Sequence, residues 1–163
     1  EDPDPVLYLE PMRCYRSSRE EVPEGKYTVE IGKANKLQEG NDVSVITWGA
    51  MVPVASQAVK EMEAKGVSCE LIDLRTLYPI DRDTIAASVQ KTGRTVIVHE
   101  AHGTGGVGND VLAIVNDTSF LYQKAPVERV TGFDSPVPFF GFEDEYLPTP
   151  ARVKHAIEKV IKF

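Results

Sequence analysis

The stretch HEAHGTGGVG, residues 99–108, gathers histidine, carboxylate and glycine at the end of an apolar run. His99, Glu100 and His102 carry side chains that bind transition metals, but their spacing, H-E-x-H, differs from the helical H-E-x-x-H of zinc proteases. No third histidine is close in sequence. A histidine at a strand end is more often a hydrogen-bonded packing residue than a metal ligand. We therefore interpret these residues as structural.

Gly103, Gly105 and Gly108 in the same stretch match G-x-G-x-x-G, the fingerprint of dinucleotide-binding folds. Such a turn can point amide groups at a pyrophosphate. In dinucleotide folds, however, the fingerprint follows the first strand, whereas this turn is the third between a strand and a helix. The next strand also lacks a carboxylate at its tip to bind a ribose, because Glu128 lies within the run. Tight packing of strand against helix is favoured, and nucleotide binding by turn 103–108 stays the alternative function.

Other polar and aromatic groups follow the predicted strands. Asp73 and Arg75 either bind a partner or tie their loop through hydrogen bonds to the backbone. Four phenylalanines in FDSPVPFFGFEDEY either form an exposed interface or pack over the edge of the domain's own sheet. They are Phe133, Phe139, Phe140 and Phe142. His155 is expected to be exposed on the last helix, and no nucleophile or phosphate-loop motif accompanies these residues.

Composition narrows the function further. The 163 residues are 42% hydrophobic and 26% charged, which is typical of one soluble globular domain. A net charge of −7 without a basic stripe argues against nucleic-acid binding. We expect no membrane span and no signal peptide. Cys14 and Cys69 are far apart, so neither a disulfide framework nor a zinc site is indicated, and a reducing compartment is expected.

The elements that would position these residues alternate along the chain. Short β-branched runs predict strands over residues 43–47, 69–74, 95–100 and 127–131, and helical spacing predicts a helix after each. Asp81 and Thr149 are expected to cap the second and last helices, and Gly93 to end the second. Strands that alternate with helices predict an α/β fold of three layers, α/β/α, with a parallel sheet covered on both faces.

The first forty residues have a different character. Pro3, Pro5, Pro11 and Pro23 interrupt a charged segment with one strand-like run, residues 6–9. We interpret residues 1–40 as a lead-in connector and edge segment, and residues 41–163 as the α/β/α domain.

Five motifs in order, EGNDVSVITWGAMV, VSCELIDLRTLYPID, KTGRTVIVHEAHGTGGVG, APVERVTGFDSPVPF and EDEYLPTP, resemble a known family. It is the C-terminal domain of the β subunit of thiamine-diphosphate-dependent 2-oxo acid dehydrogenases, the first components of the pyruvate and branched-chain complexes. The resemblance runs through the whole chain. It implies a transketolase C-terminal-like fold, in which one strand is antiparallel to the rest, and its first two motifs favour the branched-chain type.

The resemblance also implies what this chain does. In the family, thiamine diphosphate is held by the α subunit and by the N-terminal domain of the β subunit, so no catalytic or cofactor-binding residue is expected here. The inferred role is assembly: pairing with a second β subunit and supporting an α2β2 enzyme that decarboxylates a 2-oxo acid and passes the acyl group to lipoamide. The fragment alone is expected to be inactive, and a cytoplasmic or mitochondrial-matrix location is expected.

Some residues are implicated in binding by the resemblance alone. In some members this domain docks the basic subunit-binding domain of the acyltransferase, which here implies Glu128 and the terminal carboxylate of Phe163. Lys124 stands where some relatives have an acidic residue. The backbone carbonyls of Asp2 and Asp4 match part of a monovalent cation site whose other ligands precede residue 1, so we expect that site to be empty in this chain.

Overall fold

A five-stranded sheet forms the centre of the computed structural model, which describes residues 2–17, 19, 21–139 and 141–163. The strands are β1 (Asn35–Gln38), β2 (Val43–Thr47), β3 (Cys69–Asp73), β4 (Thr95–His102) and β5 (Glu128–Gly132). The helices are α1 (Met51–Glu63), α2 (Arg82–Thr92), α3 (Gly108–Ser119), α4 (Glu143–Tyr146) and α5 (Pro150–Lys162). Short 3-10 turns lie at Met12–Cys14 and Phe120–Tyr122. The predicted alternation of strands and helices is therefore present.

The strand order is β1-β3-β2-β4-β5. β2 pairs in parallel with β3 and with β4, β4 pairs in parallel with β5, and only β1 pairs antiparallel, with β3. The α/β fold and its single antiparallel strand are thus confirmed. That strand comes from within the segment assigned to the lead-in, whose division from the domain at residue 40 stays a prediction.

The strand expected over residues 6–9 is wrong. These four residues pair with no strand in the part of the chain that the structure describes, and the side chains of Val6, Leu7, Tyr8 and Leu9 are all exposed. An apolar run forms a strand only where a neighbouring strand supplies hydrogen bonds, and among the described residues β1 is the edge strand beside β3.

Alternating side chains divide the core into two layers. Along β2 and β4, Val45 and Val98 pack against α1 and α5, whereas Ile46 and Ile97 pack against α2 and α3. Because both faces are covered, all five side chains of β2 are buried. This explains why the strands read as continuous apolar runs.

The helix ends follow the predicted capping residues. Asp81 accepts hydrogen bonds from the amides of Thr84, at 3.1 Å, and Ala34, at 3.0 Å, so one carboxylate caps α2 and anchors the start of β1. Gly93 ends α2 in the left-handed conformation, with φ of 73°. Thr149 caps α5, and Pro150 occupies its first turn. The three predictions are confirmed.

Candidate functional site

The carboxyl ends of the parallel strands meet at one edge of the sheet, which we call the carboxyl edge. The chain leaves β2 toward α1 on one face and leaves β4 toward α3 on the other. Ligands in open α/β sheets bind at such a change of direction. Trp48, after β2, and His99, on β4, lie at this point and stack, with ring centroids 5.3 Å apart and an interplanar angle of 9°.

His99 is enclosed rather than poised for metal binding. The residue is 1% exposed, and neither ring nitrogen has a hydrogen-bond partner among the described residues. Burial lowers the pKa of the imidazole, and the charge of Arg129 lowers it further, so the neutral ring is favoured. His102 instead contacts the Ser135 carbonyl oxygen through Nε2, at 2.8 Å. His99 is buried as a packing residue would be, but the hydrogen bond expected of it is not present among the described residues.

The glycines of turn 103–108 have a packing role around this ring. A Cβ on Gly108 would lie closer than 3.0 Å to Nε2 of His99, and one on Gly106 would lie 2.8 Å from Cε1. Side chains at either position would therefore displace the ring or the turn. Arg129 holds the turn in place: its guanidinium donates a hydrogen bond of 2.8 Å to the Gly103 carbonyl and also contacts Asn109.

A carboxylate from elsewhere in the chain already accepts hydrogen bonds from the same turn. Asp134, in the loop after β5, accepts hydrogen bonds from the Thr104 hydroxyl, at 2.7 Å, and the Thr104 amide, at 3.1 Å. These bonds hold the pKa of Asp134 below its ordinary value. Because a carboxylate of this chain takes donors that a phosphate would use, the geometry adds nothing to the nucleotide alternative.

Asp73 and Arg75 tie their own loop. The Arg75 amide donates to Oδ1 of Asp73 at 3.1 Å, and Arg75 has a positive φ of 55°, which is uncommon for a residue other than glycine. Partial burial raises the pKa of Asp73. Of the two interpretations of this pair, the hydrogen-bonded loop is the one observed.

The aromatic segment is largely uncovered. Phe139 is 94% exposed, Phe142 is 69% exposed, and neither packs over the sheet. Phe133 is half-exposed: it meets Tyr146 edge-on, and the Arg152 guanidinium lies 4.6 Å from its ring centroid. Phe140 lies outside the described residues. Exposed aromatic rings this close in sequence favour the interface interpretation.

Glu128 and Phe163 border a second surface, a groove of about 400 Å³ between β5 and α5 that continues toward the end of the chain. Oε1 of Glu128 lies 2.7 Å from the ammonium of Lys159, so this carboxylate already has a partner. The Phe163 side chain is exposed. Exposed His155, as expected, lines the groove.

Lys124 and the two lead-in aspartates complete the predicted residues. The Lys124 ammonium lies 3.3 Å from the Thr92 carbonyl, where a cation stabilises the carboxyl end of α2. The Asp4 amide donates a hydrogen bond of 2.9 Å to Oδ1 of Asp2 in an exposed segment. Their part in a cation site stays a prediction.

The sequence did not identify Trp48, Thr104, Asp134 and Arg152 as organising residues of the carboxyl edge. Arg152 donates to the Thr131 carbonyl at 2.6 Å and to that of Leu147 at 3.3 Å. Each of these contacts joins parts of the chain that are distant in sequence. Local spacing carries no signal of such contacts, although position after a strand marks the region in which to look.

Comparison with known proteins identifies similar chains. The family model for the transketolase C-terminal domain matches residues 32–153. The chain is 49% identical over 160 residues to the pyruvate dehydrogenase E1 component subunit beta of Staphylococcus aureus (strain Mu50 / ATCC 700699), covering 98% of this chain and 49% of that one. It is 48% identical over 162 residues to the subunit of the same name from Bacillus subtilis (strain 168), covering 99% and 50%. The chain thus spans about half the length of these curated relatives.

A solved structure of similar fold is that of a split-gene transketolase in an inactive beta4 tetramer. The TM-score is 0.75 at 29% sequence identity, over 90% of this chain and 47% of that one. Among the described residues no helix is long and apolar enough to cross a membrane.

Proposed function

The chain belongs to the transketolase C-terminal domain family, and from that premise we propose that it is the assembly and subunit-interface domain of a 2-oxo acid dehydrogenase β subunit. The complete enzyme would decarboxylate a 2-oxo acid as an α2β2 assembly and transfer the acyl group to lipoamide. Pyruvate and branched-chain 2-oxo acids are both candidate substrates. We propose a cytoplasmic location, in keeping with the bacterial relatives.

The observation that carries this proposal is the exposure of Phe139 and Phe142 at the carboxyl edge. Large apolar side chains that stand together in water are characteristic of surfaces buried by another protein. The Phe133–Arg152 contact and the Asp134–Thr104 hydrogen bonds fix the backbone at the start of this segment. The aromatic rings are therefore presented from an anchored base.

The described residues do not fit the cofactor by themselves. A diphosphate is commonly held through a divalent cation and its carboxylate ligands. Among the described residues no group of three His, Cys, Asp or Glu side chains is placed to hold a metal ion. We therefore assign thiamine diphosphate to other parts of the assembled enzyme. Asp2 and Asp4 would contribute two carbonyl oxygens to a monovalent cation site completed elsewhere.

The test is a chimera in which this chain replaces the matching half of the Bacillus subtilis subunit. Co-expressed with the subunits that the native Bacillus protein assembles with, the chimera should co-purify with them and restore thiamine-diphosphate-dependent oxidation of a 2-oxo acid. The 163-residue chain alone should have no such activity. Activity of the chain alone, or a folded chimera that fails to assemble, would refute the proposal.

Two matched variants test the interface within this chimera. Phe142 and Phe120 have the same exposure, 69%, but Phe120 follows α3 and lies at the opposite edge of the sheet. Phe142→Ser should weaken assembly measured by sedimentation, whereas Phe120→Ser should not. Equal behaviour of the two variants would remove the carboxyl-edge aromatic segment from the proposal.

We also propose that a basic acyltransferase domain docks at Glu128 and the groove beside Phe163. Lys159 competes for Glu128 in this chain, because the two side chains form an ion pair. Lys159→Ala should therefore strengthen docking several-fold and Glu128→Gln should weaken it, both more clearly at low salt. Binding that is unchanged in both variants would place the docking surface elsewhere.

A further inference from the structure

The junction of β4 with α3 depends on one uncharged ring. His99 fills a slot whose walls are the Trp48 ring and the backbone of Gly106 and Gly108. The glycine wall is the start of α3, where the helix dipole places a partial positive charge. The neutral imidazole is held there by close packing and by stacking on Trp48, since its nitrogens have no hydrogen-bond partners among the described residues.

The charged groups on the elements around His99 provide no hydrogen-bonded counter-ion for a second proton on the ring. Arg129 of β5 straps the turn through Gly103 and Asn109 and acts on the ring through its positive charge. Asp110 lies in the first turn of α3, and Glu100 and His102 follow the ring along β4. None of these carboxylates forms a hydrogen bond with the ring in the structure. An imidazolium would therefore be buried without a counter-ion beside a helix amino terminus.

We propose that His99 is a pH-sensitive latch: its neutral ring locks turn 103–108 onto the end of β4, and gaining a proton expels the ring and releases the turn. The His99 ring contacts both Trp48, after β2, and the start of α3. Expulsion of the ring would therefore loosen the segments that follow β2 and β4 together. This device is independent of the proposed function, since it involves only residues of this chain.

The direction of the pH effect follows from linkage. Burial lowers the pKa of His99 below its ordinary value of 6.5, so the unfolded chain binds more protons than the folded one as the pH falls past 6.5. The contribution of the latch is complete above that pH and declines below it. The folding equilibrium constant should fall by up to about tenfold per pH unit within this window.

The first experiment uses Trp48 as the reporter, because it is the only tryptophan among the 163 residues. Fluorescence of the chain should change with a midpoint below pH 6.5 as Trp48 loses its stacked neighbour. His99→Phe keeps a flat ring in the slot and should abolish this transition, whereas His155→Gln, at an exposed position, should leave it unchanged. The same transition in wild type and His99→Phe would overturn the proposal.

If His99→Phe does not fold, a second measurement on the wild-type chain tests whether protonation of His99 releases the turn. The chain has three histidines, so nuclear magnetic resonance can follow each ring separately. The His99 ring should titrate below pH 6.5, and the amide signals of residues 103–108 should shift with the same midpoint. Titration of His99 at or above 6.5, or turn amides that do not follow it, would overturn the latch.

Discussion

Glu70 and His99 are fully buried polar side chains on β3 and β4, the two strands that flank β2, yet they are stabilised in opposite ways. Oε1 of Glu70 accepts from the ammonium groups of Lys36, at 3.1 Å, and Lys91. His99 has no hydrogen-bond partner among the described residues and relies on close packing against Trp48 and the glycine turn.

The difference follows from charge. Burying a carboxylate is costly unless cations pair with it, and Glu70 pairs with Lys36 from β1 and with Lys91 from α2. A neutral ring costs less to bury and can be held by shape. The Glu70 cluster should therefore be robust near neutral pH, whereas the His99 site should weaken as the ring becomes protonated. Substitutions that remove the lysines around Glu70, or that change the packing around His99, test this difference.

The largest effect is expected when Glu70 loses both cations. Lys36→Met with Lys91→Met leaves a buried carboxylate without a counter-ion, which should lower the free energy of unfolding by about 3–5 kcal/mol. Urea denaturation at pH 8 measures this loss.

A surface pair provides the control for that variant. Lys65 and Glu158 form an exposed ion pair at 2.7 Å, and Lys65→Met should change the free energy of unfolding by less than about 1 kcal/mol. A double lysine variant as stable as this control would show that Glu70 does not need its cations.

The next effect concerns the shape of the His99 slot. Gly108→Ala places a Cβ against the imidazole and should destabilise the fold by about 1–3 kcal/mol. In the background of His99→Ala, where the ring is gone, the same substitution should cost clearly less. A double-mutant cycle measured by thermal unfolding gives this coupling.

Gly103 supplies the matched position in the same turn. A Cβ there meets its nearest neighbour, the Thr131 hydroxyl, at 3.4 Å, so Gly103→Ala should be nearly neutral. Equal losses for the two glycine variants would mean that the turn is sensitive to backbone entropy rather than to the ring.

The smallest effect is expected for Glu39, an exposed carboxylate that contacts the same two lysines as Glu70. Hydrogen bonds from Lys91 and Lys36 hold the pKa of exposed Glu39 at about 2. The stability from this pairing is present above pH 4.5, the ordinary value, and is lost as the pH falls toward 2. Lys91→Met should return the Glu39 pKa toward 4.5, as measured by nuclear magnetic resonance, and an unchanged pKa would contradict the assigned contact.

Prediction from sequence succeeded where the signal was local and repeated. The strands 43–47 and 69–73 and the caps Asp81 and Thr149 were all identified, because apolar runs and capping side chains act over a few residues. It failed for β1, whose four residues, NKLQ, carry one large apolar side chain and form a strand only by pairing with β3. The run at 6–9 is more apolar than β1 but finds no partner strand among the described residues.

The candidate site shows the same limit. The sequence correctly directed attention to the end of β4 and to a packing role for its glycines. It could not indicate that the neighbour of His99 is Trp48, 51 residues earlier, or that Asp134 occupies the turn. Local spacing also carries no signal of the Glu70 ion pairs, because the two lysines come from positions distant in sequence.

The sequence by itself determined the layered fold, the capping residues of α2 and α5 and, through its ordered motifs, the family. These follow from hydrophobic periodicity and capping, which depend on neighbours along the chain. Only the tertiary structure decided that Glu70 is paired, that His99 is enclosed without a partner and that Phe139 and Phe142 face solvent. Those properties depend on which groups the fold brings within a few ångströms, and sequence spacing does not encode that distance.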